Sequence, residues 1–77
     1  MKVKVFAPHG CDRSGFDERG WLEVADGSTV SDVLKIIRCG HLKAKLLMVS
    51  VNGVRCTLGT VLSDGDVIGF LMPIAGG

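Results

Sequence analysis

The sequence predicts an α+β fold: a mixed sheet of four to five strands covered on one face by one main helix. Three observations predict it. Several short segments alternate apolar and polar residues with the period of a half-buried strand. One segment, Val30, Val33, Leu34 and Ile37, repeats at i, i+3, i+4 and i+7, which is one face of an amphipathic helix. Asn52-Gly53 stands between two β-branched stretches, and both residues tolerate the positive φ of a tight hairpin turn. One helix and several strands bury their apolar faces most simply as two layers.

Met1 to Ala7 sets Lys2 and Lys4 against Val3 and Val5 and reads as the first strand. Pro8 to Gly20 carries Gly10, Gly15 and Gly20 among charged residues, so it is expected to be a long polar loop. Trp21 to Ala25 resumes the alternation, and the two strands form a hairpin. After the Asp26-Gly27 turn comes a helix of about ten residues. Thr29 is its N-cap, Asp32 completes a capping box, Lys35 and Arg38 lie near its negative end, and Gly40 is the expected stop.

Leu46 to Val51 is a buried strand, Val54 to Thr57 its hairpin partner, and Gly59 to Leu62 a connection with room for one helical turn. Ser63-Asp64-Gly65-Asp66 forms a turn before the last strand, Val67 to Met72. Pro73 cannot donate to a ladder and ends that strand. The order strand, strand, helix, strand, strand, strand is that of a β-grasp. The expected organisation is one β-grasp domain over residues 1–77, with 73–77 as a flexible C-terminal tail.

Composition excludes several function classes. The net charge of +1 builds no basic stripe for a phosphate backbone, so nucleic-acid binding is not expected. No apolar run approaches the ~20 residues of a spanning helix, and the start lacks the apolar stretch of a signal peptide, so no membrane association is expected. Cys11, Cys39 and Cys56 are odd in number and widely spaced. That argues against a disulfide framework and against a paired-cysteine metal site, and favours reduced thiols in the cytoplasm. His9 and Cys11 lack a second pair of ligands, so no metal is expected, and no cofactor either. Cys11 and Cys56 read as small apolar residues or incidental thiols, Cys39 has no assigned role, and His41 reads as a helix-end or loop residue.

Two histidines and no constellation of nucleophile and base provide no catalytic residues, so the chain is not expected to be an enzyme. It has no P-loop with which to bind ATP. Chemistry is expected instead at Ala75-Gly76-Gly77. Residues with little or no side chain let a backbone enter a narrow channel and present a carboxylate to another protein's active site.

The ending Asp64-Gly65-Asp66-Val67-Ile68-Gly69-Phe70-Leu71-Met72-Pro73-Ile74-Ala75-Gly76-Gly77 resembles that of the ThiS/MoaD family of sulfur carriers, a ubiquitin-like β-grasp family. The helix opening at Thr29 and the Val51-Asn52-Gly53 hairpin match its layout. The resemblance implies that a ubiquitin-activating-type enzyme, using ATP, adenylates Gly77. Sulfur then converts the adenylate to a thiocarboxylate, and a sulfur-acceptor synthase subunit consumes it. Gly77 carries over as the covalently modified residue, with Gly76 and Ala75 threading behind it. The long 8–20 loop leans toward the molybdopterin type, while the Ala-Gly-Gly end resembles the thiamine thiazole type. Two other functions use the same fold: a ubiquitin-like modifier joined to lysines through Gly77, and a non-covalent interaction module. Phe6, Trp21, Met48 and Phe70 are candidates for an apolar docking patch on the open sheet face.

Overall fold

The computed structural model describes residues 1–7, 10–39 and 48–71, with the side chain of Leu71 outside the description. Among the described residues, five strands and one helix follow in the expected order: β1 (Lys2–Phe6), β2 (Trp21–Glu23), α1 (Val30–Ile36), β3 (Met48–Val51), β4 (Val54–Cys56) and β5 (Val67–Leu71). They form one mixed sheet in the order β2-β1-β5-β3-β4. β1 and β5 run parallel at its centre, and the other neighbouring pairs are antiparallel.

Alternation decides what each strand buries. Val3 and Val5 of β1, Leu22 of β2, Val49 of β3 and Ile68 of β5 share one face with the apolar stripe of α1, Val30, Val33 and Leu34, and with Ile37 just beyond it. This cluster is the core of the two-layer β-grasp. Parity places Lys2, Lys4, Phe6, Trp21, Met48, Ser50, Val67 and Gly69 on the opposite face.

The helix starts as its sequence dictates. Thr29 Oγ1 accepts the Asp32 backbone N–H at 3.2 Å, and Asp32 Oδ2 accepts that of Thr29 at 2.9 Å. Thr29→Ala should cost about 1 kcal/mol in urea unfolding without changing the slope of the transition.

The other end differs from expectation. The helix closes at Ile37, and Arg38 takes the left-handed conformation (φ 56°) expected of Gly40, which lies outside the described residues. Arg38 N–H donates to Lys35 O at 3.1 Å and Cys39 N–H to Leu34 O at 2.8 Å. This is a Schellman closure with arginine where glycine is usual. Burial of Cys39 and Leu34, the apolar pair that accompanies such a closure, favours stopping here.

The 59–62 connection holds a turn and a bridge between Thr29 and Val61 instead of a helix, with Leu62 buried. The β1–β2 loop is more structured than a polar linker. Phe16 packs against the core and bridges to Leu22. Asp17 Oδ1 accepts the backbone N–H groups of Trp21 at 2.9 Å and Arg19 at 2.8 Å. Those two donors, Trp21 first, hold its carboxyl below the ordinary carboxylate value, and the Ser14 N–H does the same for Asp12. A depressed carboxyl stabilises above its unfolded pKa of about 3.9 and loses that contribution as pH falls. Amide protection at Ser14, Arg19 and Trp21 should therefore drop as the pH falls below that value, before the sheet opens.

The expectation of unpaired thiols is corrected. Cys11 and Cys39 form a disulfide with Cα atoms 5.4 Å apart. The loop folds back on the helix end, where Asp12 N–H donates to Ile37 O at 2.8 Å, and this brings together two cysteines far apart in sequence. Cys56 alone is a free thiol, half-buried against the core.

Candidate functional site

The Asp-Gly-Asp turn and the Asn-Gly hairpin act together on β5. Asp64 Oδ1 accepts the Lys2 backbone N–H at 2.8 Å, and Gly65 N–H donates to Lys2 O at 2.8 Å. Lys4 N–H donates to Asp66 O at 2.9 Å, so the turn is stitched to β1. From the other side Asn52 adopts a left-handed conformation (φ 54°) beside Gly53. Its Oδ1 accepts Val67 N–H at 2.9 Å, its Nδ2 donates to Asp66 Oδ1 at 2.8 Å, and its backbone N–H donates to Val67 O at 2.8 Å. Asp66 Oδ2 accepts Ser63 N–H at 2.8 Å. Every one of these carboxylates is thus used to place backbone.

The consequence is directional. β5 enters the sheet at a fixed point, runs between β1 and β3, and reaches Leu71 at the edge where β1 ends with Phe6 and β3 begins with Met48. The chain leaves this edge into 72–77. Pro73, Ala75, Gly76 and Gly77 lie outside the described residues. Asn52→Ala removes two side-chain hydrogen bonds and the residue type that tolerates positive φ. A loss of about 1–2 kcal/mol by urea unfolding is expected; Asn52→Asp, which keeps the acceptor for Val67, should lose less.

Around the exit edge the outer sheet face carries apolar surface. Phe6 is 61% exposed and Met48 37%. Gly69 lies between Phe6 and Ser50 in the register and adds no side chain to this face. A Cβ on Gly69 would approach Ser50 Oγ to 3.1 Å. Lys4 Nζ stands 5.6 Å from the Phe6 ring centroid. Trp21 is on this face too, half-buried and separated from β3 by both β1 and β5.

Phe70 is not on this face. It pairs with Val49 and packs against the core, so the expected docking patch loses one of its four members. A shallow depression bounded by Lys2, Asp17, Arg19, Trp21, Asp64 and Gly65 opens at the other end of β1, away from the Leu71 edge.

A mixed sheet with this strand order and α1 packed across one face defines a ubiquitin-like β-grasp. The solved structure of SAMP1 from Haloferax volcanii is similar to it, with a TM-score of 0.61 at 23% identity, covering 100% of this chain and 98% of that one. No curated protein matches the chain. The ThiS family description matches residues 15–77. The chain belongs to the ThiS family, whose members are small carrier proteins and not themselves enzymes.

Asn52 does more than shape its turn. Its turn-forming role was visible beside Gly53, but its clamp on Val67 and Asp66 spans 14 to 15 residues and has no local signature.

Proposed function

We propose that the chain is a sulfur carrier whose reactive group is the carboxyl of Gly77. One observation carries this reading: the ThiS family match runs through Gly76 and Gly77, directly beyond a strand clamped at its start and aimed at the sheet edge. The described body would serve as a handle and 73–77 as a thin tail, with Gly76 and Ala75 threading into a partner's active site.

The chemistry supplies what a carboxylate lacks. A carboxylate oxygen of Gly77 attacks the α-phosphorus of ATP in a ubiquitin-activating-type adenylating enzyme, and pyrophosphate leaves. A sulfur nucleophile adds to the acyl carbon and AMP departs with the bonding pair, leaving a thiocarboxylate. Without a side chain, Gly77 offers no steric obstruction to that attack. A sulfur-acceptor synthase subunit then takes the sulfur. The pathway is cytoplasmic cofactor biosynthesis, of the molybdopterin type ahead of the thiamine thiazole type. The exposed pair Phe6 and Met48, beside the edge from which the tail departs, suits docking of these partners.

Intact-mass measurement tests the reading. The chain is incubated with ATP, a sulfide donor and a ubiquitin-activating-type adenylating enzyme. A gain equal to one oxygen replaced by one sulfur, located at Gly77, is expected. Isopeptide-linked lysines found instead would make the chain a ubiquitin-like modifier. An unchanged mass with no trapped adenylate would leave a non-covalent module and end the covalent mechanism.

A further inference from the structure

We propose that the Cys11–Cys39 pair is a thiol–disulfide exchange site, cycled by dithiols and low-molecular-weight disulfides, that locks and unlocks the β1–β2 loop from the C-terminal end of α1. This pair takes no part in the tail chemistry. The family match begins at residue 15, so it supplies no partner for Cys39 in the position of Cys11.

Three contacts converge at one place. The disulfide joins loop to helix end, Asp12 N–H donates to Ile37 O at 2.8 Å, and Arg38 Nε stands 3.7 Å from Asp12 Oδ2. Only the first is redox-sensitive. Cys39 is wholly buried among apolar residues of the core, and Cys11 is half-buried on the loop that covers it. A reduced cysteine in such surroundings behaves as a small apolar residue. The hydrogen bond and the ion pair do not depend on the sulfur bond. Reduction therefore leaves a folded protein with a freer loop.

The asymmetric burial sets the direction of attack. A thiolate of the dithiol attacks Sγ of Cys11, the more accessible sulfur. The S–S bond breaks, and Sγ of Cys39 leaves with the electron pair and takes up a proton. The reagent's second thiol then displaces Cys11, which is also protonated, and the reagent departs as its own disulfide. Two electrons and two protons pass to the protein. A low-molecular-weight disulfide reverses the sequence. Expulsion of an anionic sulfur into the apolar core around Cys39 slows the forward step, because the core offers that charge no solvation.

The test uses the full chain equilibrated with oxidised glutathione or with dithiothreitol, then unfolded and alkylated for mass analysis. One of the three cysteines, Cys56, should be alkylated in the oxidised sample and all three in the reduced one. The thermal midpoint should fall by about 10 °C or more on reduction, with the transition still cooperative. Hydrogen exchange should quicken at residues 11–16 more than in β1 and β5. Cys11→Ala should abolish the response to reductant, and Cys56→Ser should keep it. Three free thiols after oxidised glutathione, a peptide map joining Cys56 to either partner, or a midpoint unmoved by dithiothreitol would overturn the proposal. Loss of the cooperative transition on reduction would also overturn it, making the bond a requirement for folding instead of a switch.

Discussion

Deletion of Gly77 is expected to abolish thiocarboxylate formation while leaving the thermal midpoint of the chain unchanged. The shortened chain still ends in a glycine carboxylate, so the loss is one of reach. Retracting the acyl carbon by one residue moves it about 3.5 Å from the adenylating centre, and misplacement by about 1 Å already costs on the order of a hundredfold in rate. Stability should not follow, because every buried residue of the described core lies at or before Ile68. Adding one alanine after Gly77 should be as damaging, since it displaces the glycine carboxyl and puts a Cβ beside the attacked carbon. Both variants are read by intact mass after reaction and by circular dichroism on heating. A fully active deletion would remove Gly77 from the mechanism.

Ile68→Ala should be the most destabilising single substitution in β5. Ile68 is fully buried at the sheet's centre, opposite Val5 on β1 and Val51 on β3, and belongs to the same core cluster as the α1 stripe. Truncating such a residue costs about 2–5 kcal/mol through lost transfer energy and the cavity left behind. A domain of this length has a total stability of roughly 4–12 kcal/mol, so a large part of it is lost. Ile68→Val should lose about 0.5–1.5 kcal/mol. Val54→Ala, at a site 68% exposed, should stay within about 0.5 kcal/mol. Urea unfolding of the three variants measures the order. Equal midpoints for Ile68→Ala and Val54→Ala would show that the core does not centre on β5.

Features set by short-range chemistry were legible in the sequence. Thr29 and Asp32 are three residues apart and satisfy each other's backbone donors, so the helix start could be read directly. Asn52-Gly53 specified its turn through the φ values both residues accept. The face of Phe70 was not legible. Val67 to Leu71 is apolar throughout, so no alternation marks its inner side, and only pairing with Val49 settles it. The helix stop differs from the local signal for a related reason. Gly40 is the better local signal, but burial of Cys39 and the closure onto Leu34 end the helix at Ile37. The Cys11–Cys39 pairing depends on how the loop folds back, which three scattered cysteines cannot announce. Of the candidate site, the direction of β5 and the exposure of Phe6 and Met48 are now fixed, while the assignments to Ala75, Gly76 and Gly77 lie outside the described residues.

The placement of β5 between two hydrogen-bonded neighbours also has a mechanical meaning. A pull on the chain beyond Leu71 loads this strand along its length, with β1 on one side and β3 on the other. The ladder bonds lie across that direction, so they are strained in shear, many together, instead of parting one after another like a zipper. Asn52, Asp64 and Asp66 anchor the far end of the same line. An enzyme that grips and draws in the tail would therefore move the whole body toward itself before unravelling the strand that connects them.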